Sequence, residues 1–189
     1  MRRLWFVVLF LASMVPFSAS ARQGFSVGMG PIGNVYLIDT IPVLDPGVGG
    51  YMFFDYRFHE QVAFETSFLL SSQDGNNGGS TADNGILLLG MPVFDIKLYL
   101  LENEPRWDPY VKTGVGVYFI TEGSLSNSTG GVGMGSQLGL GFDYYLADFV
   151  SLGFEGVFRS IAVITDFGTP SKSSSVFPYS LMGNIAFHF

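Results

Sequence analysis

The chain has 189 residues, 48% hydrophobic, 16% aromatic and 13% charged, with a formal net charge of −7. A soluble domain averages about 25% charged residues, so this chain is poor in the side chains that normally face water. Its acidity excludes the basic patches that nucleic acid requires, and the absence of cysteine excludes disulfides, thiolate metal sites and a thiol nucleophile.

Residues 1–21 read as a cleaved secretory leader. Arg2 and Arg3 supply the charged start, Leu4 to Val15 the apolar centre, and Ala19-Ser20-Ala21 an A-x-A cleavage site. Residues 22–189 then form a single domain. Without Arg2 and Arg3 it holds seven Lys and Arg against 16 Asp and Glu, a net charge of −9. Export without disulfides suits a bacterial envelope.

Beyond the leader no apolar run can cross a membrane as a helix. The best candidate, 86–101, falls short of roughly 20 residues and contains Pro92, Asp95 and Lys97. The 25 glycines also oppose long helices. What recurs instead is period-two alternation, the mark of β-structure. Eight strands are predicted over 24–30, 47–57, 62–71, 84–100, 109–121, 131–145, 149–161 and 177–189. The connectors 31–46, 72–83, 122–130 and 162–176 are long and rich in Gly, Ser, Asn, Asp or Pro. Those at 58–61 and 146–148 are tight, and 101–108 is of middling length. Long connectors alternating with short ones predict an all-β fold, an eight-stranded antiparallel up-and-down transmembrane β-barrel. Both mature ends would then lie on the short-turn, periplasmic side.

The two faces of each strand differ in kind. Outward, toward lipid, are placed Phe25, Val27, Met52, Phe54, Tyr56, Phe64, Phe68, Ile86, Leu88, Phe94, Ile96, Leu98, Val115, Val117, Phe119, Val150, Leu152, Phe154, Phe158, Leu181, Ile185 and Phe187. Tyr56, Phe64, Tyr144, Phe187 and Phe189 at one rim, and Phe119, Phe158, Phe177 and Tyr179 at the other, fit interfacial aromatic girdles. The opposite face is largely glycine and serine with isolated charges: Asp55, Arg57, Glu65, Asp95, Lys97, Lys112, Asp143, Glu155 and Arg159. A Lys or Arg facing lipid at mid-depth would cost about 2–4 kcal/mol. Enclosed together they can pair as a lumenal ion-pair network. Eight strands leave an interior just wide enough for side chains to fill, so a polar plug is expected rather than an open, porin-like channel.

Three stretches resemble the bacterial outer-membrane β-barrel domain family, related to the OmpA transmembrane domain and the OmpW group. They are Asp108–Phe119 (DPYVKTGVGVYF), Gly131–Arg159 (GVGMGSQLGLGFDYYLADFVSLGFEGVFR) and the ending Asn184–Phe189 (NIAFHF). The resemblance covers 22–189 in architecture and carries in sequence from Asp108 onward. It implies a Gram-negative cell envelope, with outer-membrane lipid as surroundings and insertion by the barrel-assembly machinery. Ile185, Phe187 and Phe189 match the terminal assembly signal, although Asn184 stands where glycine is common. The family also implies structural envelope roles, adhesion or small-molecule passage.

Catalysis is not expected. A lipid-modifying barrel needs a base to activate its nucleophile. The two histidines, His59 in a tight turn and His188 on the last strand, read as structural. Gly28–Gly33 matches G-x-G-x-x-G by letters, but Pro31 stands where the helix should start. The sequon Asn127-Ser128-Thr129 is not expected to be processed in a bacterial loop. Asp74, Asn76, Asn77 and Asp83 supply oxygen ligands without calcium-loop spacing, so neither metal nor cofactor is expected. The first long connector is unusually apolar. Tyr36, Leu37, Ile38, Ile41, Val43 and Leu44 make a candidate lip for an apolar small molecule. A structural or interaction barrel is the leading reading, and a small conduit or binding protein for apolar molecules the alternative.

Overall fold

Large-small alternation folds as antiparallel strands rolled into a closed barrel, seen in a computed structural model that describes residues 23–36, 46–74, 85–101, 106–122, 129–166 and 175–189. Its staves are β1 (Gly24–Tyr36), β2 (Gly47–His59), β3 (Val62–Asp74), β4 (Gly85–Tyr99), β5 (Trp107–Glu122), β6 (Thr129–Ala147) and β7 (Val150–Asp166). An eighth follows in two pieces, β8 (Ser175–Val176) and β9 (Pro178–His188). Each pairs antiparallel with the next, and β9 returns to β1, so the sheet has no free edge. Closure satisfies every stave laterally, the condition for strands to cross a bilayer. Among the described residues no helix is long and apolar enough to cross a membrane.

The tight connectors Glu60-Gln61 and Asp148-Phe149 lie at the same end as Gly24 and Phe189. The seam closes there: the Phe189 N–H donates to the Phe25 carbonyl at 2.8 Å. Gly24 has φ +140°, and a Cβ there would lie 2.4 Å from the Phe189 carbonyl oxygen. Both facts demand glycine. Strands β5, β6 and β7 have 16, 19 and 17 residues, well beyond the roughly 9–11 needed to span.

Two departures from the sequence reading have local causes. The first strand runs to Tyr36 rather than ending at residue 30. The β1–β9 ladder passes from Met29↔Ile185 to Ile32↔Met182, so Pro31, which has no N–H to give, sits where the ladder is broken. The second departure is Leu88, expected outward but buried at 1% exposure. In β4, Gly90 pairs with Leu69 and Val93 with Ser67, so Met91 and Pro92 together face the single residue Phe68. This bulge inserts one residue and reverses the phase. Leu88 and Gly90 therefore point inward on one side of it, and Val93, Asp95 and Lys97 on the other.

The remaining residues placed outward are exposed or half-buried wherever their side chains are described, which excludes only Ile86. Phe25 packs on Tyr56 at 4.5 Å near the turn end, and Phe158 stacks on Phe177 at 6.2 Å toward the loops. The leader 1–21 lies outside the described residues. So do Leu37, Ile38, Ile41, Val43, Leu44, Asn76, Asn77, Asp83, Asn127 and Ser128, and the side chains of Tyr36, Asp74 and Thr129.

Candidate functional site

The interior is built by setting large polar side chains opposite glycine. Tyr110 of β5 pairs with Gly141 of β6, and Lys112 with Gly139. A Cβ on Gly141 would come within 2.7 Å of the Tyr110 ring, and one on Gly139 within 2.9 Å of the Lys112 chain. The glycine-rich face of β6 is thus the space that the charged face of β5 occupies.

At the turn-side mouth, Arg57 donates to Asp108 at 2.7 Å and to the Glu60 carbonyl, with its guanidinium 3.7 Å from the Tyr99 ring centroid. The Tyr99 hydroxyl donates to Asp143 at 3.2 Å. His188 and Ser151 share a hydrogen bond of 2.8 Å, and the His188 ring lies 5.0 Å from that of Tyr145.

Deeper in, the ion pairs become continuous. Lys97 contacts Asp55 at 3.3 Å and Glu65 at 2.5 Å. Lys112 contacts the same Glu65 at 3.2 Å and Glu155 at 2.8 Å. The Tyr110 hydroxyl donates to Glu155 at 2.9 Å. One chain of charges therefore links β2, β4, β3, β5 and β7 across the barrel. A third group centres on Gln137. Its amide nitrogen donates to both Asp95 oxygens at 2.6 Å, while its oxygen accepts from Arg159 at 2.8 Å and Tyr118 at 3.3 Å. Arg159 also reaches Ser180, which donates to Asn34, and Asn34 donates to Ser71 at 2.5 Å. Ile32, Leu69, Leu88, Val93, Ile161 and Val176 pack around this group as an apolar cluster.

All nine charged residues assigned inward from the sequence are buried. Asp55, Glu65, Lys97, Lys112 and Glu155 form the continuous chain, Arg57 and Asp143 lie at the mouth, and Asp95 meets Arg159 only through Gln137. The sequence reading missed Asp108, fully buried against Arg57, because it began the strand one residue later. Asp108 is in phase with Tyr110 and Lys112, which was the available signal. It also missed Gln137 and the tyrosines 99, 110 and 118, which look neutral singly but hold the acids in place. Among the described residues six buried acids (Asp55, Glu65, Asp95, Asp108, Asp143, Glu155) face four buried bases (Arg57, Lys97, Lys112, Arg159). Among the described residues no group of histidines and carboxylates is arranged to hold a metal ion. Ile185 and Phe187 of β9 and the terminal Phe189 face outward.

A family model described as outer membrane protein beta-barrel domain matches residues 4–168. Neisserial surface protein A is similar in structure, with a TM-score of 0.66 at 13% identity over 88% of this chain and 98% of that one. The outer membrane protein OprG from Pseudomonas aeruginosa gives 0.59 at 14% identity, covering 88% and 96%. Ail, the attachment invasion locus protein of Yersinia pestis, gives 0.56 at 13%, covering 88% and 99%. At such identities the likeness is one of fold. Among curated protein sequences none matches.

Proposed function

Because the chain belongs to the outer membrane protein beta-barrel domain family, we propose that it is an envelope barrel with a structural or interaction role, a lumen plugged by its own side chains, and no turnover. The observation that carries this reading is the charge chain through Lys97 and Lys112. It ties five staves together with side chains that are almost wholly buried. An ion crossing the barrel would have to part pairs that are already desolvated, and stranding one member of such a pair costs several kcal/mol. The leader is removed at Ala21, the barrel-assembly machinery inserts the mature chain into the outer membrane of a Gram-negative envelope, and the long connectors face outward. Neither histidine serves catalysis: His188 is held between Ser151 and Tyr145 at the mouth, and His59 lies at the tight turn after β2.

Planar-bilayer recording of the folded chain tests this reading. No steady unit conductance is expected, and a stable conductance at neutral pH would overturn it. A second reading, a holder or conduit for apolar small molecules at the first loop, draws support from Val35 and Val48, which are exposed apolar residues at the base of that loop. Binding of an apolar probe that is lost on Leu37→Asp would favour it.

A further inference from the structure

Small inward residues in this barrel are covered by large neighbours. Tyr110 lies over Gly141 and Lys112 over Gly139, and at Gly28 a Cβ would run into the Phe53 ring. Ser26 of β1 differs. It is buried between His188 of β9 and Asp55 of β2, its partners in the two ladders. Both neighbours are engaged away from β1: His188 bonds Ser151 of β7, and Asp55 contacts Lys97 of β4 at 3.3 Å. A void of about 10 Å³ remains at the turn-side mouth, with Ser26, Asp55, Arg57, Tyr99, Tyr145 and His188 on its wall.

One of those wall residues carries an orphaned donor. Arg57 is 5% exposed. Its Nη1 donates to Asp108 at 2.7 Å and its Nη2 to the Glu60 carbonyl. Its Nε–H meets no acceptor in the protein. A buried N–H of a charged group is costly to leave unsatisfied. The void beside it is lined by a carboxylate and a hydroxyl, from Asp55 and Ser26.

We propose that this void is the binding site of a single held water molecule, which accepts from the Arg57 Nε–H and donates to Asp55. Size limits the occupant to one oxygen-sized centre, since the volume is about that of one water probe. Charge selects water among such occupants. A cation cannot accept from an N–H, and an anion would lie against the Asp55 carboxylate. With the Ser26 hydroxyl the water has three polar partners, within the two to four that a buried water needs. A bridge of this kind is nearly as favourable as a direct hydrogen bond. It joins the Arg57–Asp108 pair at the mouth to the Asp55–Lys97–Glu65 chain deeper in. The site depends on how β1, β2 and β9 pack at the turn end, not on whether ions cross the lumen.

The test is NMR of the folded full chain in detergent micelles, with isotope-labelled arginine nitrogens. Arg159 is the internal control: its Nε–H donates to the Gln137 oxygen at 2.8 Å and should show no cross-peak to water. The Arg57 Nε–H should show a dipolar cross-peak to water, with the sign of a molecule that tumbles with the protein. Arg57→Lys identifies that signal by removing it. Ser26→Val fills the void, and there the Arg57 signal should remain while its water cross-peak is lost. Heat-modifiable gel migration checks that this variant folds, and Ser26→Thr, which adds one methyl, replaces it if it does not. A missing water cross-peak at Arg57, one of equal strength at Arg159, or one unmoved by the filling variant overturns the proposal. So does a shift of the Arg57 signal when chloride is replaced by sulfate, which would make the occupant an anion.

Discussion

Lys112 and Gln137 do different work in the same interior. Lys112 is a charged bridge between two carboxylates on opposite flanks, Glu65 and Glu155. Its replacement by Met leaves both acids buried without it, and removing one partner of a buried pair costs about 3–5 kcal/mol. Urea unfolding in lipid vesicles should show a loss of that size for Lys112→Met and a partial recovery in the double variant Lys112→Met/Glu65→Gln. A loss below about 1 kcal/mol, the worth of an exposed pair, would mean that water reaches these carboxylates and that the interior is not plugged. Gln137 is neutral, yet it lets Asp95 and Arg159 share one partner without touching. A carboxylate in its place would set two acids together, so here the amide is worth more than a charge.

Strand β4 marks the limit of pattern reading. In β3, and in β6 as far as Tyr145, a strict period of two assigns each face, because neither stretch carries an inserted residue and a misplaced Glu65 or Asp143 would meet lipid. In β4 the apolar run Ile86–Met91 carries no charge to fix its phase, and the reading was carried back from Asp95 and Lys97 across the bulge, which placed Leu88 wrongly. Asp108 was missed for a related reason: a strand's first residue shows no alternation of its own. The charged interior was legible because charges are rare in this chain. The tyrosines and Gln137 were not, since their importance lies in partners on other staves. Deletion variants test the bulge directly. Removing Pro92 should leave every face in place and a barrel that still shows heat-modifiable migration. Removing Phe94, within the regular stretch, should turn one flank of the strand to the wrong face and abolish the folded band. If the Pro92 deletion fails as badly as the Phe94 deletion, the bulge has a role of its own in folding.

At the scale of the molecule the fold is a cylinder inverted relative to a soluble protein, with its apolar surface outside and its charges enclosed. Closure gives all eight staves two neighbours, so no stave is dispensable, and unfolding in vesicles should be a single transition when followed by Trp107 emission and by gel migration. Separate transitions would reveal a seam that opens first, and the β1–β9 ladder, broken at Pro31, is where to look.

At that same seam, the Phe189 amide already touches the first stave beside Gly24. A linker of a few small residues could join head to tail there while the chain is reopened between Glu60 and Gln61. Such a circular permutant keeps every ladder and every lumenal pair but begins with β3, and it should refold into detergent micelles as the parent does. The order in which the staves are synthesised would then be separable from the shape they make.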